Sequence, residues 1–299
     1  MKRLAPSILA FGLLAPSLLA DDLPAVEQAI TGYEQVVSTT DGKSLYTVYK
    51  RAEDGQMLAL LPKDYESKKY FVALTVAGGE TFAGLQANDM VVYWRRYANR
   101  LALLAPNLDV KSTGDDPSKR SVERLFTDRV LLDVPVIAQT REKTPLIDLD
   151  ELLLGNAPVF FGGKAAGLKK HLAAIKKAKA FPQNVEVAYE VPVADGTLKV
   201  FHFSISALPD AAGYKPRASD SRIGFFTTSY RDLGKYKDSE VWVRYVNRWR
   251  LEKADATLQS SPPKEPIVFY IEHTTPIRYR RFVRDGILYW NSAFEKVGL

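Results

Sequence analysis

The sequence predicts an α+β, β-rich chain whose bulk is mainly antiparallel sheet. Three observations carry this. Apolar and polar residues alternate in several short runs between about Leu45 and Leu208, Gly- and Asp-containing turns separate those runs, and one sustained helical periodicity stands apart near the C-terminus. With 46% hydrophobic and 25% charged residues over 299 positions, the composition is that of a globular protein able to build a large core. Disorder and fibrous repeats are excluded on the same ground, and no repeat of solenoid period is present.

Taken in order, Leu45–Lys50 and Gln56–Leu61 flank Glu53-Asp54-Gly55 and read as a hairpin. Tyr70–Val76 is a strand closed by Gly78-Gly79, and Met90–Tyr97 with Arg100–Leu104 forms a second hairpin around Ala98-Asn99. Lys111–Arg120, with Gly114 and Pro117, reads as a loop. In the strand Val130–Ala138, Pro135 requires an edge or a bulge because it has no N–H to donate. Ile147–Leu154 reads as a short helix capped by Asp148, and Ala165–Lys179 as a basic helix ending before Pro182. Val185–Val193 and Thr197–Ile205 make the clearest hairpin, turning at Ala194-Asp195-Gly196. In Val241–Leu251 apolar residues alternate with Arg244, Arg248 and Arg250, the pattern of a half-buried strand.

The first twenty residues differ from the rest. Lys2 and Arg3 precede an apolar run, Leu4–Ala20, and Asp21-Asp22 follow it, which is the layout of a secretory signal peptide cleaved after Ala20. Pro16 and the shortness of the run argue against a membrane anchor, which needs about 20 apolar residues. The expected domains are therefore a signal peptide at 1–20, a β-rich domain at 21–260, and a distinct segment at 261–299. The expected destination is the periplasm or the extracellular space, with no membrane span after signal cleavage. With no cysteine, disulfides and an acylated-Cys anchor are both excluded. Without Lys2 and Arg3 the chain keeps 39 basic and 35 acidic residues, too even a balance to make nucleic acid the expected partner.

The C-terminal segment has its own character. After the linker-like Ser260-Ser261-Pro262-Pro263, the run Pro266–Ile271 reads as a compact strand. Thr275-Pro276 then starts a helix, and Tyr279, Phe282, Val283, Gly286, Ile287, Trp290, Ala293, Phe294 and Val297 recur at spacings of three and four, with Gly298 as the C-cap. One strand and one helix cannot cover each other's apolar faces, so further chain or a partner is expected to complete the layer.

The run Pro266-Ile267-Val268-Phe269-Tyr270-Ile271, with Thr275-Pro276, Gly286-Ile287, Trp290-Asn291, Ala293-Phe294-Glu295 and Gly298, resembles the start of the catalytic domain in a family of large bacterial zinc-dependent metalloproteases of metzincin-like kind. The resemblance extends back through Tyr214-Lys215-Pro216-Arg217, Arg222-Ile223-Gly224 and Arg244-Tyr245 with Arg248-Trp249-Arg250, and more weakly through Ala180-Phe181-Pro182 and Ala105-Pro106-Asn107. Leu85–Asn88 departs from it, being short where relatives carry a longer Gly-containing loop. The resemblance implies an N-terminal domain of unknown function followed by the incomplete strand–helix start of a protease domain. It also implies zinc and a peptide or protein substrate for the full-length enzyme, with the C-terminal catalytic domain as the missing partner.

This sequence itself supplies no zinc site. A zinc hydrolase needs three protein ligands and an open position for water. The three histidines, His171, His202 and His273, are nowhere four apart, so HExxH is absent, and no catalytic, cofactor-binding or metal-ligating residue is assigned. The expected function is the non-catalytic front portion of an exported metalloprotease. The alternative is a complete, non-catalytic exported binding or scaffold protein using the Trp242–Arg250 and Tyr214–Arg222 stretches.

Overall fold

The structure, a computed structural model, describes residues 23–209, 213–237 and 241–299. The expected signal peptide lies outside them. The described residues form two compact units: one from the stretch ending at Leu108 together with Arg124–Asp210, the other from Asp109–Glu123 together with Ala211–Leu299. No helix among the described residues is long and apolar enough to cross a membrane.

The first unit is one large antiparallel sheet. After a single helical turn, α1 (Val26–Ala29), come β1 (Tyr33–Gln35), β2 (Thr47–Arg51), β3 (Met57–Leu60), β4 (Lys69–Gly78), β5 (Gln86–Tyr97) and β6 (Arg100–Ala105). The second unit contributes β7 (Val110–Lys111), and α2 (Asp116–Leu125) bridges the boundary in sequence. The first unit then adds β8 (Arg129–Gln139), β9 (Pro145–Asp148), α3 (Ala157–Phe161), β10 (Ala174–Ala180), β11 (Asn184–Pro192) and β12 (Leu198–Ala207). Eleven of these strands order as β1-β2-β3-β9-β8-β6-β5-β4-β12-β11-β10. The sheet curls until its ends approach: Ala180 N–H donates to Ser38 Oγ at 2.9 Å, and Leu45 N–H to the Phe181 carbonyl at 2.7 Å.

Period-two patterning explains the curl's interior. Tyr70, Val72, Leu74 and Val76 of β4 and Phe201, Phe203 and Ile205 of β12 point inward and are buried. The segment after β9 fills the same interior with Leu152, Leu153, Phe160 and Phe161; the Phe161 ring lies 4.6 Å from Phe201 and 5.2 Å from Phe203. Trp94 is buried and its indole N–H donates to Tyr46 Oη at 3.1 Å, so its polar atom is satisfied where its ring is dry. Burying such aromatic side chains contributes about 1.5–3 kcal/mol each.

All three expected hairpins form. The last turns at Gly196, whose φ of +83° suits a residue without Cβ. Pro135 pairs with Arg100 of β6, while β9 pairs with β8 only from Val136 onward, so the proline sits where one side of its strand has no ladder.

Four expectations need correction. The basic helix over Ala165–Lys179 is absent; two short 3₁₀ turns lead instead into β10, which pairs with β11. Ala and Lys favour helix locally, but the ladder along Asn184–Pro192 overrides that preference. The Lys111–Arg120 loop contains β7 and the start of α2, where the Asp115 carboxylate accepts the Ser118 N–H at 3.0 Å. The helix expected over Ile147–Leu154 starts later, at Leu149, because Ile147 and Asp148 end β9, and it is π-helical over Glu151–Gly155; Asp148 does cap it, accepting the Glu151 N–H at 2.8 Å. The strand expected over Pro266–Ile271 is not formed, since none of the strands among the described residues pairs with it.

The second unit holds a three-stranded sheet ordered β14-β13-β7, with β13 (Thr227–Asp232) antiparallel to β14 (Trp242–Val246) and parallel to β7. The strand expected over Val241–Leu251 is thus shorter. Helices α4 (Ile277–Tyr289) and α5 (Asn291–Glu295) follow, and Gly298 closes the end at φ +85°. Val110, Val122 and Val246 are the unit's buried apolar residues among those described. Asp232, 1% exposed, does much of the tying: it accepts from Thr113 N–H at 2.9 Å, Thr113 Oγ1 at 2.6 Å and Gly234 N–H at 3.0 Å. Gly234 passes so close to the 113–114 backbone that a Cβ there would lie 2.2 Å from Gly114 N.

Candidate functional site

The three histidines occupy separate elements: His171 an exposed 3₁₀ turn, His202 strand β12, and His273 the exposed stretch before α4. His202 Nε2 lies 2.7 Å from Glu186 Oε2. Glu186 also accepts from Ser204 Oγ at 2.7 Å and Asn184 Nδ2 at 2.6 Å. Burial opposes its charge, but these donors outweigh it and hold the carboxyl below its ordinary range. Ser204 and His202 both turn to the same carboxylate, so no imidazole stands against the hydroxyl and the trio lacks the order of a Ser-His-acid relay. Among the described residues no three His, Asp or Glu side chains gather as a metal would require, so they do not fit the zinc that the family resemblance implies.

A second carboxylate, half-buried, lies between the sheet and the segment that fills it. Asp150 accepts from Tyr189 Oη at 2.6 Å and Met57 N–H at 2.8 Å. Burial pushes its carboxyl upward despite those bonds, and pushes the Tyr189 phenol well above its ordinary value. A perturbed acid can mark a reactive site. Here both oxygens are engaged by the protein's own donors, and the group acts as a tie between β3, β11 and the π turn.

The first unit carries a polar cleft of about 490 Å³ between three loops. Arg96 organises it: Nε donates to the Ala98 carbonyl at 2.9 Å, Nη1 to the Lys143 carbonyl at 2.9 Å and Nη2 to Gln139 Oε1 at 2.7 Å. Ala98 (φ +48°) and Lys143 (φ +63°) are the non-glycine residues with positive φ among those described, and this one guanidinium holds both carbonyls. Lys63 and Glu142 close the rim with an ion pair at 2.6 Å.

The most exposed apolar surface lies in the C-terminal segment. Phe269 and Tyr270 are 61% and 91% exposed, Phe282 and Trp290 71% and 66%, and α4 buries none of its residues. Contiguous exposed apolar surface of this kind is characteristic of interaction sites. The sequence had indicated it through the three-and-four spacing of these residues.

A family model described as a domain of unknown function (DUF5117) matches residues 84–254, more than half of the chain. The chain belongs to that family. The DUF5117 match runs from just before β5 to beyond β14 and takes in Arg96, Asp150, His202 and Asp232, while the apolar segment 266–297 lies outside it. No curated protein matches the chain, and no solved structure does.

Proposed function

We propose that this DUF5117 chain is the non-catalytic front portion of an exported, metzincin-like zinc metallopeptidase, and that Pro266–Leu299 is the surface on which the zinc-bearing core packs. The observation that carries this reading is the exposed apolar face of α4 and the stretch before it. It coincides with the residues whose spacing and identity resemble the start of such a catalytic domain. The zinc ligands and the general base belong to the core, and the present chain contributes packing surface to it.

Reading the gene beyond codon 299 tests this directly. The expected outcome is a continuing frame that encodes HExxH; a stop codon, together with a natural product of this length, would refute the proposal. In the full-length enzyme, Phe282→Asp should lower hydrolysis of casein at least tenfold, an order-of-magnitude expectation for a charge placed in a packed interface. In the present chain alone the same substitution falls on an exposed position and should shift stability by no more than about 0.5 kcal/mol. Equal destabilisation of both would mean that the face already packs within this chain.

A further inference from the structure

The small sheet of the second unit presents one face on which arginines and a tryptophan are exposed to solvent. Across β13 and β14, Ser229 lies opposite Arg244 and Arg231 opposite Trp242. Alternate residues share a face, so these four stand on one side, joined at the strand end by Thr227 and the buried Val246, with Tyr230, Tyr245 and the buried Asp232 on the other. A neighbouring segment extends the sheet on the far side of β14: Ala218 bridges Tyr245, Ser219 N–H donates to the Arg244 carbonyl at 3.0 Å, and Val246 N–H to the Arg217 carbonyl at 2.9 Å. This pairing puts Arg217 on the face of Arg244. Arg217, Arg231 and Arg244 are exposed, and Trp242 is 49% exposed.

Among the described residues, three carboxylates of this unit are committed elsewhere. Asp220 pairs with Arg222, Glu252 with Arg250 and Lys264, and Asp232 is turned inward to Thr113 and Gly234. What holds two of the three guanidinium groups is aromatic and leaves their charge intact: Arg244 lies 5.4 Å from the Trp242 ring centre and Arg217 5.5 Å from that of Phe225. Residues 213–254 contain ten Lys and Arg against five Asp and Glu, a net of +5 within a chain of net +6. The stretch is basic, as is Lys164–Lys179 of the first unit, where six lysines stand without an acidic residue.

The arrangement has a pitch. Arg231, Arg244 and Arg217 follow a diagonal across three adjacent strands, each step roughly 7–8 Å. In an extended peptide, side chains on one face recur every second residue, roughly 6.7 Å apart. Arginine's planar array of donors matches a carboxylate with two parallel hydrogen bonds. We propose that this face binds an extended acidic polypeptide segment with carboxylates at alternate positions, received by Arg231, Arg244 and Arg217. A single-stranded nucleic acid is the poorer fit, because it needs free aromatic faces for base stacking and Arg244 already takes one face of Trp242.

The proposal stands independently of the peptidase reading and is tested on the whole chain by fluorescence anisotropy. The probes are a labelled peptide of alternating Glu and Thr, its Gln-Thr counterpart, and an oligo-dT strand of similar charge. The Glu-Thr peptide should bind, the Gln-Thr peptide should not, and raising the salt should weaken the complex. The triple variant R217Q/R231Q/R244Q should bind the acidic peptide roughly tenfold more weakly or worse. K68Q, which removes a charge from the first unit, should leave affinity unchanged, and circular dichroism of each variant verifies the fold. No binding of the acidic peptide, equal loss in K68Q, no loss in the triple variant, or tighter binding of oligo-dT would each overturn the proposal.

Discussion

Asp232 shows how much one side chain can organise where apolar burial is thin. Its carboxylate is desolvated, which opposes ionisation, but the two bonds from Thr113 and the Gly234 N–H outweigh that and hold its pKa below the ordinary 3.8. A depressed folded-state value contributes stability that is present above about pH 4 and lost as the pH falls through the folded value. Acid unfolding of the second unit, followed by tryptophan fluorescence, should therefore begin as the pH drops below about 4, and Asp232→Asn should flatten that dependence while lowering stability at neutral pH. An unchanged acid limb in the variant would remove Asp232 from the account. Arg96 makes a matching case in the first unit. Arg96→Met strands two left-handed carbonyls and an amide, and a loss of about 1–3 kcal/mol is expected in urea denaturation. Arg96→Lys should recover only part of it, since one ammonium cannot span three acceptors held by a planar group. Neither residue was legible in the sequence as an anchor, because the acceptors and donors they bind lie up to 119 residues away.

At the scale of elements, the reading succeeded where the pattern is local. Hairpins with Asp-Gly turns and alternating flanks, such as Val185–Val193 with Thr197–Ile205, carry their partner within a few residues, so sequence and ladder agree. The reading failed for Ala165–Lys179, whose second half depends on a hairpin partner that imposes extended structure on a helix-prone composition. It failed in the opposite sense at Pro266–Ile271, a β-rich run that finds no ladder partner. The C-terminal helix formed as its spacing required, but with its apolar face uncovered. Amides of Ile277–Glu295 should therefore exchange with deuterium much faster than those of β11 and β12 in the isolated chain. Protection equal to that of the central strands would contradict the exposed placement of this helix.

For the molecule as a whole, the order of strands is the part that no local pattern announces. β4 pairs with β12 across more than a hundred residues, and β3 pairs with β9 across nearly as many. Such pairings require large loops to close before any contact rewards them, so folding of the first unit should be slow for its size. Stopped-flow refolding in the seconds range is the expected result; completion within a millisecond would not fit this topology. The interleaving of Asp109–Glu123 with Ala211–Leu299 was equally invisible in the sequence, since the parallel pairing of β7 with β13 leaves no mark on either strand. The exposed Arg and Trp of β14 were visible as an alternating run, but their shared face with Arg217 and Arg231 became apparent only from the register.

The approach of the sheet's two end strands also governs how this protein meets other copies of itself. A strand with a free row of N–H and C=O groups is a template for edge-to-edge growth, and long sheets protect such rows with charges, bulges or cover. Here β10 has all three: Lys176, Lys177 and Lys179 along its length, an irregularity between Ile175 and Lys177, and at its end the Ser38 hydroxyl accepting the Ala180 N–H. The curl that builds the core thereby withdraws the edge from which an ordered aggregate would start.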